Sequence, residues 1–565
     1  MPGTACLLNR SPAAAVLLGL LFAAARVAAT EPPAFTADQM GGTLRHNFNA
    51  EPQTLNPLTS KDIYATIVHD HVFETLIERD PDTLEWRGLL ADRWDISPDG
   101  LAITFHLDPR AAFADGHALT AKDVLFTFET VRNPGIDCRA AASYLEDCES
   151  CQIVDEHTVR FRWKKPYFQS LEVSGTFAPI LPQHIYRFKN PREFNDLNNR
   201  LVGSGPYRFV EWKTGQHILL VRNEVYWRQP PAFDRILFRF ILEEQAAVQA
   251  FLSGDLDDLA VSPEWWVKLQ SRPLVRSTFQ FWRYMSPGNG YRYIAWNNAR
   301  PLFADARVRR AMTHLIWREQ VLKTMAHGIG VVTTGPFWPR SPQYDGTLQP
   351  WSFDRREAAR LLAEAGWIDR NGDGWLENPK GERFAFEFTA VSGDQMTRDL
   401  VRVLREEFRR MGIDMSIRMV EWSVFVTRLD NRDYDAIMLS WTGSVESDPY
   451  QIWHSSQIAD RGSNHVGFRN AETDRLIEEA RITLDPVRRN DLYHRFQRIL
   501  HEEQPYTFLW AGESLRLVSP RIRGVRLHTL GLDWREWWAG PDQPARPAPP
   551  GRSSAPPWRS PEAAP

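Results

Sequence analysis

The chain has 565 residues, of which 43% are hydrophobic, and a formal net charge of −4. At roughly 100 to 200 residues per domain, this length predicts two to four globular units with sizeable cores. The slightly acidic balance argues against a nucleic-acid partner.

The first 29 residues are typical of a secretory signal peptide. Arg10 precedes a small and apolar run from Ala13 to Ala25, which is too short to cross a bilayer, and Val27-Ala28-Ala29 suits cleavage before Thr30. Cleavage leaves 65 basic and 71 acidic residues, a formal charge of −6. Because Cys6 precedes the apolar run, we expect an exported periplasmic protein that is not a lipoprotein. Residues 30–40 carry no periodicity and are predicted to be flexible.

Three cysteines remain after cleavage: Cys138, Cys148 and Cys151. In an oxidising compartment we expect a disulfide between Cys138 and either Cys148 or Cys151, with one thiol left over. A zinc site of the three cysteines with His157 is the alternative. It is disfavoured because the sequence has no second well-spaced ligand pair.

The first half of the mature chain alternates predicted strands, turns and helices. A strand is predicted from Thr43, and a helix from Ile63 whose apolar face continues to Leu76 and Ile77. Other signals are a hairpin turn at 97–100, an alternating strand over 101–107, a helix capped by Thr120 with Asp123, a strand over 154–163, a hairpin turn at 213–216 and a helix closed by Gly254.

Four segments of the chain resemble a known family. They are LADRWDISPDGLAITFHLDP (90–109), FADGHALTAKDVLFTFE (113–129), VGSGPYRFVEWKTGQHILLVRNEVYW (202–227) and ARVRRAMTHLI (306–316). In order and in register they are similar to the extracellular solute-binding proteins of the peptide and nickel type, which serve bacterial ABC importers. The resemblance covers roughly residues 41–538.

The resemblance implies an α/β fold of the type II periplasmic-binding-protein kind, with two lobes joined by a two-strand hinge and an extra subdomain in the first lobe. The expected limits are 41–292 plus 510–539 for the first lobe and 293–509 for the second. The Pro- and Ala-rich residues 540–565 are predicted to form a disordered tail.

An aromatic strand over Tyr291–Asn298 is predicted to lead into a helix capped by Asp305, and in the resembled family this strand crosses from the first lobe to the second. The loop Asp369–Lys380 has the start of an EF-hand pattern. Its twelfth position is Lys380 instead of the required glutamate, so we interpret it as a surface turn. No histidine or cysteine cluster is evident, and we expect neither a metal nor a cofactor.

The stretch 434–456 is predicted to present the binding site. It reads as a strand over Asp435–Ser440, followed by Trp441 and a loop of small and polar residues. The predicted ligand-binding residues are Trp441, Thr442, Gly443, Ser444 and Asp448.

The resembled oligopeptide and dipeptide receptors carry Trp-x-x-Asp at this point, where the carboxylate pairs with the ligand's α-ammonium. Here the fourth residue is Ser444, which cannot supply that charge, and Asp448 or Glu446 is the possible replacement. Residues 389–393 also lack the arginine with which dipeptide receptors pair the ligand's carboxylate. Both departures disfavour a dipeptide specialist.

The sequence therefore predicts a monomeric periplasmic receptor that binds a peptide, closes around it and delivers it to an ABC permease and its ATPase subunits. With 22 tryptophans, an oligosaccharide or other non-peptide solute is the alternative within the binding class. A secreted hydrolase is a distant alternative because no catalytic motif has the necessary spacing.

Overall fold

The computed structural model describes residues 34–541 apart from 61, 199, 393–394 and 460–461. The predicted signal peptide and residues 542–565 of the predicted tail lie outside this part of the chain. No helix among the described residues is both long and apolar enough to cross a bilayer.

A seven-stranded mixed sheet organises the first lobe. Its central strands, Thr43–Phe48 and Arg235–Phe240, run parallel, with Leu44 opposite Ile236. One hydrophobic core lines the face that carries Leu44 and Ile236, and a second core covers the opposite face near Leu259 and Leu517. In spatial order the strands are Gln280–Tyr284, Ser514–Val518, Asp258–Ala260, Thr43–Phe48, Arg235–Phe240, His217–Arg222 and Tyr207–Lys213.

A smaller antiparallel sheet of four strands shares one hydrophobic core with the seven-stranded sheet, and so belongs to the first lobe as a subdomain. Ile103, Phe105 and Leu107 alternate inward on its second strand, as predicted. The strands, in spatial order, are Ala91–Ile96, Ala102–Leu107, Thr158–Trp163 and Cys148–Asp155. Two-stranded ribbons are formed by Ile77–Arg79 with Trp86–Gly88 and by Leu527–His528 with Gly531–Leu532.

A six-stranded mixed sheet organises the second lobe. Along Tyr291–Trp296, Tyr291 and Tyr293 enter one core while Ile294 and Trp296 enter the other, which explains why this strand is apolar apart from Arg292. In spatial order the strands are Val331–Val332, Tyr506–Ala511, Tyr291–Trp296, Ala436–Trp441, Ala385–Val391 and Asp414–Val420. The predicted two-lobed α/β fold is confirmed.

The chain passes between the two large sheets at two places. It leaves the first sheet after Tyr284 and enters the second at Tyr291, and it returns between Ala511 and Ser514. The predicted residue limits of the lobes stay a prediction.

The helices cover the sheets, and several begin or end where local chemistry requires. Thr120 N–H donates to Asp123 Oδ2 at 3.0 Å, Asp305 accepts from Arg307 N–H, and Gly254 ends its helix with φ +89°. The helices of the first lobe are Ile63–Val72, Ala121–Arg132, Arg139–Tyr144, Ser170–Thr176, Gln183–Tyr186, Pro191–Asn195, Glu244–Ser253, Pro263–Gln270 and Pro273–Thr278. Those of the second are Ala306–His314, Arg318–Met325, Arg355–Glu364, Gln395–Arg410, Trp422–Asp430, Tyr450–Trp453, Ala471–Ile482 and Pro486–Glu503.

Two predicted elements were wrong in extent. The strand predicted over 154–163 is present as Thr158–Trp163, but residues 154–157 belong to the end of the strand Cys148–Asp155 and to the hairpin turn that joins the two. The helix that begins at Ile63 ends at Val72, and Ile77 starts a strand. The helix ends because Phe73 adopts an extended conformation, with its N–H donating to His69 O as the last cap. The apolar residues Leu76 and Ile77 continue the helical spacing only by coincidence.

The predicted disulfide is absent among the described residues, which include all three mature cysteines as buried free thiols. Cys148 and Cys151 lie on one strand opposite Trp163 and Phe161, and the Cys138 thiol donates to Val131 O at 3.4 Å. Burial raises the pKa of all three thiols, to about 11 for Cys138 and about 12 for Cys148. They act as small apolar core side chains.

The first crossing is fixed by a very close backbone contact. Gly290 has φ +60°, and a Cβ added there would lie 1.8 Å from Trp441 O. A Cβ on Gly443 would lie 2.2 Å from Pro287 O. The crossing segment and the start of the predicted binding loop therefore pack with no room for a side chain.

Gly290→Ala should lower the free energy of unfolding by about 2–4 kcal/mol, because the left-handed φ and the clash with Trp441 O add. Urea unfolding followed by tryptophan fluorescence measures this. Gly288→Ala is the matched control, since a Cβ there meets nothing within 4 Å. Equal loss in the two variants would refute the close-contact explanation.

Candidate functional site

The predicted binding loop leaves the middle of the second lobe's sheet. Its strand is Ala436–Trp441, one residue later at each end than predicted, and it lies between Tyr291–Trp296 and Ala385–Val391. Trp441 is paired with Tyr291, the first residue after the crossing. The loop therefore starts where the chain enters the second lobe, and its position is set by a rigid sheet.

Trp441 is half-buried and held on two sides. Its ring is stacked on His465 with centroids 6.3 Å apart and 10° between the planes, and its Nε1–H donates to Tyr506 OH at 3.4 Å. The ring is thus a fixed surface with one part still accessible to solvent.

The middle of the loop is polar and exposed. Ser444 Oγ donates to Glu446 O at 3.0 Å and lies 2.9 Å from Ser447 Oγ, while Thr442 is exposed. The buried Gln343 side-chain amide fixes the backbone of Ser447 with two hydrogen bonds: it accepts from Ser447 N–H at 2.7 Å and donates to Ser447 O at 2.9 Å. Hydroxyls and free backbone are the groups that this part of the loop offers to a ligand.

Asp448 is buried and engaged by three donors. Its side chain is 5% exposed, and Oδ2 accepts from Arg481 Nε at 2.9 Å and from Tyr167 OH at 3.0 Å. Oδ1 accepts from Tyr450 N–H at 3.0 Å. A ligand ammonium would have to compete with this pairing.

The charges in this cluster reinforce one another. Burial, and then the Asp448 carboxylate, raise the pKa of Tyr167 well above its usual value, so its hydroxyl remains a donor. Burial alone would lower the pKa of Arg481, but Asp448 outweighs it and the pKa is raised. Arg481 therefore remains cationic, stacked over Tyr450 at 4.2 Å.

Residues 167–169 of the first lobe dock onto this loop, a contact that the sequence analysis missed. Gln169 Nε2–H donates to Glu446 O at 2.8 Å, and Phe168 N–H donates to Arg481 O at 2.9 Å. Arg489 lies 4.5 Å over the Phe168 ring and pairs with Glu446. No local sequence pattern marks these residues as a contact, because the loop partners of Tyr167 and Gln169 are about 280 residues away in the chain.

A cavity of about 190 Å³ lies beside this contact, with Tyr144 and Lys165 on the first-lobe side and Asp448 and Arg481 on the other. Tyr144 OH closes one wall by donating to Gln451 Oε1 at 2.8 Å. The volume is below the roughly 300–1,000 Å³ of typical organic-ligand pockets, so it suits a terminal group or a few waters.

A larger cavity of about 960 Å³ lies within the first lobe, between the helix Ile63–Val72, the ribbon near Glu78 and residues 526–536. None of the predicted ligand-binding residues lines it. Its wall contains Asp70, Glu74 and Arg535. Arg535 pairs with Glu78 at 2.7 Å and with Asp533 at 2.9 Å.

Partial desolvation by the surrounding protein raises the pKa of two carboxyls in this wall. It raises the pKa of Asp70 to about 6, against the opposing charge of Arg535. It also raises the pKa of Glu74, although Trp227 Nε1–H and Tyr226 OH donate to that carboxylate at 3.0 and 2.7 Å.

Thus the structure brings Trp441, Thr442, Gly443 and Ser444 together at the crossing and places Asp448 in an ion pair beside them. Their role in ligand binding stays a prediction. The loop Asp369–Lys380 forms a tight turn in which Asp369 accepts from Gly372 N–H and Gly374 N–H.

Comparison with known proteins gives a consistent picture. Residues 85–462 match the model of the bacterial extracellular solute-binding proteins, family 5 Middle. The chain is 30% identical over 511 residues to the oligopeptide-binding protein AppA of Bacillus subtilis, covering 88% of this chain and 92% of that protein. It is 26% identical over 498 residues to heme-binding protein A of Haemophilus influenzae, covering 82% and 85%.

Solved structures agree on the fold. The B. subtilis AppA structure in complex with a nonapeptide superposes with a TM-score of 0.79 at 29% identity, covering 89% of this chain and 100% of that one. NikZ from Campylobacter jejuni in complex with Ni(L-His) superposes with a TM-score of 0.77 at 25% identity, covering 89% and 100%.

The first-lobe cavity yields a prediction about pH. Between about pH 4 and 6 the folded protein keeps the Asp70 proton that the unfolded chain has released, so this carboxyl's contribution to stability falls as pH rises through that window. Asp70→Asn removes the fall, and the variant should be about 1 kcal/mol more stable than the parent at pH 7.5, a figure already reduced because solvent reaches this side chain.

Urea unfolding at pH 4.5 and 7.5 checks this expectation. Asp92→Asn, at an exposed carboxylate of the same lobe, should change stability little at either pH. A gain for Asp70→Asn that is the same at both pH values would contradict the proposed proton uptake.

Proposed function

The chain belongs to the bacterial extracellular solute-binding proteins of family 5, and on that premise we propose that it binds oligopeptides between its two lobes for an ABC importer. Members of this non-enzymatic family bind peptides or other small solutes as components of ABC transporters. The observation that carries the proposal is the position of the loop Trp441–Asp448, at the crossing between the lobes and in contact with residues 167–169 of the first lobe.

Binding by hinge closure follows from this position. A ligand that contacts both the loop and the first lobe stabilises the closed state of the two lobes. A permease can then recognise this closed state. Within the proposal Trp441 supplies a stacking surface, and Thr442, Gly443 and Ser444 supply backbone and hydroxyl hydrogen bonds. Such groups recognise a peptide backbone without regard to its side chains.

The preference for oligopeptides over dipeptides is supported by charge. Ser444 stands where the resembled receptors have the carboxylate that pairs with a ligand's ammonium. The two carboxylates that the loop does contain, Glu446 and Asp448, are paired with Arg489 and Arg481. A dipeptide carries both terminal charges within the site, whereas a longer peptide relies more on its backbone. The similarity to an oligopeptide-binding protein at 30% identity points the same way.

A different solute is the second candidate, because relatives named for heme binding and solved with Ni(L-His) have the same fold. An oligosaccharide is less well supported. Its stacking surfaces would have to be tryptophans, and Trp441 is the one tryptophan of the loop Trp441–Asp448.

The remaining parts of the proposal concern location and partners. We propose export by the signal peptide to the periplasm without lipid modification, function as a monomer, and delivery of the solute to a permease with its ATPase subunits.

Native mass spectrometry of the protein purified without denaturation tests the proposed ligand. We expect a family of peptide masses longer than dipeptides to co-purify, and added peptides of graded length to raise the thermal midpoint only above that length. A single carbohydrate, heme or metal-chelate mass in place of peptides would overturn the peptide assignment.

Asp448→Asn tests whether this carboxylate meets the ligand's ammonium. If it does, affinity for free-amine peptides should fall about tenfold or more while affinity for acetylated peptides changes little, since one charge-assisted hydrogen bond is worth about 1.5–3 kcal/mol. Isothermal titration calorimetry with matched peptide pairs gives the comparison.

Glu446→Gln is the matched control, because it removes the other paired carboxylate of the same loop. Equal loss for both kinds of peptide on Asp448→Asn would assign Asp448 to holding the lobes together through Arg481 and Tyr167, and not to the ligand.

A further inference from the structure

Three metal-ligating side chains converge on the surface of the first lobe, outside the predicted binding site. His184 Nε2 lies 2.6 Å from Asp115 Oδ2, and His117 Nδ1 lies 3.2 Å from Asp115 Oδ1. One potential ligand atom from each residue lies within 4.8 Å of the other two. The sequence predicted no metal site, because His184 is 69 residues from Asp115 and only the fold brings them together.

Local structure explains how one short turn supplies two of the groups. Phe113 N–H donates to His117 O and Gly116 N–H donates to Phe113 O, both at 2.9 Å, which closes a tight turn with Gly116 at φ +87°. His117 N–H also donates to Asp115 Oδ1 at 3.1 Å. Asp115 and His117 consequently point to the same side of the turn.

The third group is positioned by a buried anchor. His184 lies in the helix Gln183–Tyr186, whose first N–H donates to Asp123 Oδ1 at 2.9 Å. Asp123 also caps the helix that follows the 113–119 turn, through Thr120. Both elements are thus fixed to the same helix start, and the three side chains are preorganised relative to one another.

Charge favours a cation at this point. The two imidazole rings lie 3.9 Å apart with 31° between their planes. Asp115 supplies a carboxylate between the two rings, and each ring directs one nitrogen towards it.

We propose that Asp115, His117 and His184 form a binding site for a divalent transition metal of the zinc class. Imidazole nitrogen and carboxylate oxygen are ligands that zinc prefers, and three protein ligands leave one position for water or another donor. Ligands about 2.1 Å from a tetrahedral ion lie about 3.4 Å from one another, so the atoms here need to separate only slightly to admit it. The site is independent of the proposed solute-binding loop.

Zinc titration of the untagged full-length mature protein, stripped with a chelator beforehand, tests the proposal by isothermal titration calorimetry. Excess calcium is included to occupy the oxygen-rich group Asp369, Asp373 and Glu377, the other candidate cation cluster among the described residues. We expect one zinc ion per chain, and a thermal midpoint that rises with zinc.

His117→Gln and His184→Gln should each weaken zinc binding at least about tenfold and abolish the zinc-dependent rise of the midpoint. The His117 side chain is 64% exposed, so its replacement leaves the fold intact, as circular dichroism would show. His106→Gln is the matched control, because His106 also pairs with a carboxylate on the surface, that of Asp95 at 2.8 Å. Among the described residues, no third potential metal ligand joins this pair. Failure of the parent to bind zinc, or unchanged affinity in the His117 and His184 variants, would overturn the proposal.

Discussion

The contact between the crossing segment and the strand end at Trp441 determines where the predicted binding loop begins. Gly290 and Gly443 allow two backbone segments to approach more closely than any side chain permits. One segment is the link between the lobes, and the other is the start of the binding loop. Gly290 leads directly into the strand that begins at Tyr291, and Tyr291 pairs with Trp441 at the start of the loop. A change in the backbone of the link would therefore also shift the start of the loop.

The far end of the loop is held by ion pairs and side-chain hydrogen bonds instead of close backbone packing. Asp448 and Glu446 are paired with Arg481 and Arg489, and residues 167–169 of the first lobe join the cluster. The charges nearest the loop are therefore already neutralised within the protein. What remains exposed is neutral and polar, chiefly Thr442 and Ser444, so these residues offer hydrogen bonds and no ion pair.

Sequence reasoning succeeded where the determining interactions are local. The capping pair Thr120 and Asp123, the cap at Asp305 and the left-handed stop at Gly254 depend on residues within one helical turn. It also placed the strand that ends at Trp441 within one residue. It failed at the hairpin around residues 156–157, because a two-residue turn between short strands leaves little signal in an alternating pattern. It failed as well for the cysteines, since a compartment argument says nothing about which side chains face each other.

Contacts between distant segments were beyond the reach of sequence patterns, and these include the groups that join the lobes. The Tyr167, Asp448 and Arg481 cluster is buried while the lobes touch, yet its members are groups that water solvates well. A buried ion pair gains little net free energy over its hydrated state, because desolvation offsets most of the attraction. Separating the lobes would return Asp448 and Arg481 to water at a small net cost, whereas the close backbone packing of Gly290 against Trp441 O does not involve residues 167–169 of the first lobe. The loop can therefore keep its shape while its contact with the first lobe is made and broken, which is what the proposed hinge closure requires.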